Sequence, residues 1–68
     1  MTVEVNGRSV ELPEGATMRD VVARAGIDAG ARGVAVALDG DVVPRGRWAQ
    51  TELREGQAVE VVAAIQGG

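Results

Sequence analysis

Cysteine, histidine, tyrosine, phenylalanine and lysine are all missing from these 68 residues, and tryptophan occurs once. Without cysteine the chain forms no disulfide, and without cysteine and histidine it builds no zinc cluster. Ser9 and Thr51 have no imidazole to act as general base, so hydroxyl-based nucleophilic catalysis is excluded. A phosphate-binding glycine loop is also excluded. Gly26, Gly30 and Gly33 follow the predicted helix instead of preceding one, and all seven basic residues are arginines. The net charge of −3 lacks the basic face of a nucleic-acid binder. No apolar run approaches the roughly 18 residues of a membrane span. Met1-Thr2-Val3-Glu4 lacks the charged and apolar regions of a secretory signal, so a soluble cytoplasmic protein is expected.

What remains is a small aliphatic domain. Hydrophobic residues make up 46% of the chain, and with no staples available their packing must supply the stability. Thr2 to Val5 and Arg8 to Leu12 alternate polar and apolar around Asn6-Gly7, which predicts a hairpin because both turn residues tolerate positive φ. Val3, Val5, Val10 and Leu12 then share a face. After Pro13-Glu14-Gly15 the period becomes helical. Thr17 is the expected N-cap, and Asp20 adds negative charge to the first turn. Met18, Val21, Val22 and Ala25 fall on one side, and Gly26 ends the helix.

Asp28 to Gly33 is expected to be a loop, followed by a strand over Val34 to Leu38. Asp39-Gly40-Asp41 begins like a calcium loop but lacks the later oxygen ligands, so a tight turn is the better reading. Val42-Val43 is a short strand that Pro44 confines to an edge or an end. Trp48 and Leu53 lie in a segment expected to be irregular, and Ala58 to Ile65 is the last and most valine-rich strand. The order β-β-α-β-β-β predicts an α+β domain, a β-grasp in which a mixed sheet of four to five strands packs on one main helix. The domain is expected to span residues 1–65, with 66–68 as a flexible tail.

Two features invite a functional reading. If the larger residues of the last two long strands face the helix, Ala35, Ala37, Val62 and Ala64 form a flat apolar outer face. It is either a docking surface for a partner or a set of scattered exposed small residues that need no explanation. The second feature is Gly67-Gly68, either a frayed terminus or a thin tether carrying the α-carboxylate of Gly68. Nothing inside the domain competes with that carboxylate. Glu52 and Glu55 read as solvated surface, and Trp48 as core or as an interface anchor. No metal site is expected, and the domain is read as a non-enzyme.

Across essentially its whole length the sequence resembles the ThiS family of thiamine-biosynthesis sulfur carriers, ubiquitin-like β-grasp proteins of bacteria. The resemblance rests on Val5-Asn6-Gly7, on Asp39-Gly40-Asp41-Val42-Val43-Pro44-Arg45, on Arg47-Trp48-Ala49-Gln50, on Leu53-Arg54-Glu55-Gly56 and on Ile65-Gln66-Gly67-Gly68. It implies that an E1-like, ThiF-like adenylating enzyme activates the Gly68 carboxylate with ATP. Sulfur derived from cysteine by a desulfurase then gives a C-terminal thiocarboxylate, and a ThiG-like thiazole synthase takes that sulfur. ATP and any divalent metal would belong to the activating enzyme. Gly67 would keep the tail narrow enough to thread into it. Three alternatives stand beside this reading. One is a carrier resembling the molybdopterin synthase small subunit, a second is a ubiquitin-like protein modifier, and a third is a binding module whose tail is irrelevant.

Overall fold

A computed structural model describes residues 1–27 and 32–63. Two glycine-containing turns set the strand register. Asn6 and Gly7 take positive φ values of 51° and 82°, the pair that a two-residue hairpin requires. They join β1 (Thr2–Val5) to β2 (Arg8–Glu11), with Val5 opposite Arg8 and Val3 opposite Val10. Asp39 and Gly40, at 49° and 89°, likewise join β3 (Val34–Leu38) to β4 (Asp41–Val42). The expected strand at Val42-Val43 therefore begins one residue earlier, because a two-residue turn places Asp41 directly opposite Leu38.

The helix α1 (Met18–Arg24) starts and stops where the sequence predicts. The Asp20 carboxylate accepts the Thr17 backbone N–H at 2.8 Å and its hydroxyl at 3.2 Å. In return, Asp20 N–H donates to the Thr17 carbonyl at 3.0 Å. At the other end Gly26 takes φ 78°. Its N–H donates to Ala23 O at 3.1 Å, while that of Ile27 reaches Val22 O at 3.3 Å. These are the paired bonds of a Schellman stop, with half-buried Ile27 packing back on the core.

β5 (Ala58–Ala63), the last strand in sequence, lies in the middle of the sheet, whose order is β2-β1-β5-β3-β4. It runs parallel to β1 and antiparallel to β3. The helix covers one face of this mixed sheet. Met18, Val21 and Val22 meet Val3, Val36, Val59 and Val61 in a core where each is at most 7% exposed. The expected element order is found. The division at residue 65, and the continuation of β5 through Ala64 and Ile65, lie outside the described residues. So does the Asp28–Ala31 part of the expected loop.

The segment expected to be irregular is instead a 3-10 helix over Arg45–Gln50. Pro44 presets φ at −58°, and its carbonyl accepts the Arg47 N–H at 2.8 Å. Residues three apart eclipse in a 3-10 helix, and the Arg45 guanidinium accordingly lies 4.8 Å from the centre of the Trp48 ring. Trp48 is 2% exposed, so of its two readings the core one holds. Its indole N–H donates to Val43 O at 2.9 Å. Beyond this helix, residues 51–53 tie back to the start of α1. Met18 N–H donates to Thr51 O and Leu53 N–H to Ala16 O, both at 2.9 Å.

Candidate functional site: the outer sheet face and the strand that leads to the tail

Alternation in β3 and β5 decides which side chains are left outside. Val36, Val59 and Val61 are buried against the helix, which turns Ala35, Ala37 and Val62 outward. The register pairs Ala35 with Val62 and Ala37 with Glu60, so the three small apolar residues lie together. Ala35 is exposed and Ala37 half-buried, and Val62 is 59% exposed. Ala64, the fourth residue expected on this face, lies outside the described residues, as do Gly67 and Gly68.

The face is wider than the alternation argument drew it. Val42 pairs with Ala37 across the β3–β4 hairpin and is 74% exposed, the most exposed large apolar side chain described. The signal for it was in the sequence. A two-residue Asp39-Gly40 turn fixes Ala37 opposite Val42, and directly paired residues project from the same face. On the other half of the sheet the same face is acidic. Glu4 aligns with Ala58 and pairs with Ser9, and Thr2 pairs with Glu11. Glu60 on β5 borders the apolar patch, while Glu4 and Glu11 lie on the far half of the same face, and all three carboxylates are exposed. A partner seated here meets an apolar half and a negative half.

The inner candidates recede. Glu55 accepts the Thr2 backbone N–H at 2.8 Å, a structural tie between the chain start and the 55–56 turn. Asp39 spends its carboxylate on Ala58 N–H at 2.9 Å and on the Gln57 amide at 3.3 Å, which is turn chemistry. Among the described residues no group of three acidic side chains converges as a metal site. No helix among them is long and apolar enough to cross a membrane.

What sequence reasoning missed is the work done by the Asn6 side chain. β1 ends at Val5, whose partner on β5 is Val59. Asn6 N–H still donates to Val59 O at 2.9 Å. Its carboxamide then takes over as a substitute strand. Oδ1 accepts Val61 N–H at 2.9 Å, and Nδ2 donates to Val61 O at 3.1 Å. Asn6-Gly7 announces a turn, but nothing local announces a partner 55 residues away.

A mixed five-stranded sheet closed over one helix, with its last strand central, defines a ubiquitin-like β-grasp domain. The ThiS family model matches residues 2–68, and the chain belongs to the ThiS family. It is similar to the crystal structure of the thiamine biosynthesis protein ThiS from Geobacter metallireducens. The two are 28% identical, the match covers 100% of both chains, and the TM-score is 0.78. A solution NMR structure of a thiamine biosynthesis protein from Geobacter metallireducens gives a TM-score of 0.80 at 28% identity, covering 100% of this chain and 88% of that one. No curated protein matches the sequence.

Proposed function

We propose that this chain is a sulfur carrier of thiamine biosynthesis whose working group is the α-carboxylate of Gly68. The observation that carries the reading is the extent of the family match. It runs through residue 68 and so takes in Gly67-Gly68, on a chain with no thiol to hold sulfur anywhere else. A carboxylate is a poor electrophile. Attack of its oxygen on the α-phosphorus of ATP, with loss of pyrophosphate, makes an acyl adenylate. Sulfur at the oxidation level of sulfide then displaces AMP and leaves a thiocarboxylate. The carrier supplies the acyl group and the docking surface. An E1-like adenylating enzyme supplies the catalysis, and a cysteine desulfurase supplies the sulfur as a persulfide, which two electrons from a thiol reductant bring to the sulfide level. The thiocarboxylate is the nucleophile that thiazole synthase consumes.

Docking falls to the outer sheet face. Val42, Ala35, Ala37 and Val62 offer the apolar area, while Glu4, Glu11 and Glu60 favour a partner surface with basic residues beside an apolar ridge. Intact-mass measurement after incubation with the activating enzyme, ATP and a sulfur source tests the reading. Replacement of one oxygen by sulfur, mapped to Gly68 by fragmentation, is the expected result. An unchanged mass, or modification at an internal residue, refutes it.

A further inference from the structure

We propose that Asn6 is a positioning residue for the C-terminal tail. Its carboxamide, bonded to both backbone groups of Val61, fixes the place where the tail leaves the sheet. This rests on the carrier reading above. In an antiparallel pairing, successive residues turn their backbone groups alternately toward and away from the neighbouring strand. Val61 aligns with Val36 on β3, but its N–H and C=O point the other way, to the side where β1 has already ended. Asn6 satisfies both. One side chain thereby extends the grip on β5 from Val59 to Val61 along that edge, while β3 holds the other edge as far as the Val34–Ala63 pair.

The grip matters because the tether beyond it is short. Gly68 is the fifth residue beyond Ala63, and five residues reach at most about 18 Å when fully extended. The reach of the carboxylate is therefore counted from a point set by Ala63. Docking through Val42, Ala35 and Val62 fixes the sheet on its partner, and the Asn6 clamp makes the tail's origin part of that rigid body. Without the clamp, residues 61–63 are held along one edge only. The carboxylate then starts from a distribution of points, which raises the entropic cost of delivering it.

The test uses the full chain with its activating enzyme. N6G keeps the positive φ of the turn and removes the carboxamide. N6D keeps an oxygen for Val61 N–H but sets a second oxygen against the Val61 carbonyl. D39G is the matched control. It removes a side-chain bond to the other end of β5, at Ala58, far in sequence from the tail. Amide hydrogen exchange is read at Val61 against Leu53, whose N–H donates to Ala16 O. ATP–pyrophosphate exchange gives KM and kcat for the carrier.

For N6G the exchange at Val61 is expected to accelerate about tenfold more than at Leu53, as loss of two hydrogen bonds implies. KM should rise several-fold at unchanged kcat, N6D should fall between N6G and the parent, and D39G should leave KM where it was. Equal acceleration at Val61 and Leu53 overturns the proposal, since the effect is then global. An unchanged KM for N6G, or a rise in D39G as large as in N6G, overturns it as well while leaving the carrier reading intact. A parent chain that is never adenylated removes the carrier reading, and the positioning role falls with it.

Discussion

Asp39 and Ala58 hold each other at two points. Ala58 N–H donates to the Asp39 carboxylate at 2.9 Å, and Asp39 N–H donates to the Ala58 carbonyl at 2.8 Å. The β3–β4 turn thus fastens the start of β5 as the β1–β2 turn fastens Val61. Two hairpins built on the same turn grip the central strand from opposite sides. In D39G the backbone bond remains, while the two accepted by the carboxylate are lost. Unfolding free energy is expected to fall by about 1–2 kcal/mol, read as a lower urea midpoint at unchanged slope. An unaltered midpoint would mean that water replaces the carboxylate at no cost.

Trp48 bears on both packing and hydrogen bonding. W48F keeps most of the ring but leaves the Val43 carbonyl without its indole donor, which is expected to cost about 1–2 kcal/mol. W48A is expected to cost about 3–5 kcal/mol. A domain this small has a total stability of roughly 3–10 kcal/mol, so W48A should be largely or wholly unfolded by far-UV circular dichroism at 25 °C. A cooperatively folded W48A with the parent's midpoint would contradict the central place given to this ring.

Val62 separates docking from stability. V62D places a charge on a side chain that is already 59% exposed, so stability should change by less than about 1 kcal/mol. KM for the activating enzyme should rise about tenfold or more, as expected for the centre of an apolar contact. Thermal melts and steady-state adenylation on the same preparation decide the matter. Equal adenylation by V62D and the parent would move the partner surface elsewhere.

Gly67 carries the opposite expectation to a core residue. G67L should leave the melting curve unchanged within about 0.5 kcal/mol and sharply slow thiocarboxylate formation, because a side chain beside Gly68 widens the tether. Removal of Gly68 should abolish the oxygen-to-sulfur mass change altogether. Normal adenylation kinetics in G67L would show that the activating site is roomier than the diglycine implies.

These features were unequally visible in the sequence. Asn6-Gly7 and Gly26 name positive-φ conformations that few other residues accept, Thr17 with Asp20 names a capped helix start, and each lies where expected. Alternation in β3 and β5 correctly divided core valines from outer alanines, because a two-residue period leaves no third option. The 3-10 helix at Arg45–Gln50 was missed because a six-residue segment carries too few apolar positions to show a period. Its order comes from Pro44 and from the fit of Trp48 beneath it. The side-chain grips of Asn6 and Asp39 were missed for another reason. Turn residues are chosen for φ, and whether their polar ends also meet a distant strand depends on sheet order. The outer-face triad of Ala35, Ala37 and Val62 was legible, and Val42 joined it only once the β3–β4 register was known.

The central position of β5 has a consequence for how the protein comes into being. The two hairpins and the helix are local and can form early, but β1 and β3 have no contact surface in the sheet except through residues 58–63. Closure therefore joins the beginning of the chain to its end, a high-separation event of the kind that dominates folding time. A chain still being synthesised holds two unattached hairpins. A partner that reads the outer face therefore meets it whole only after β5 has joined β1 to β3.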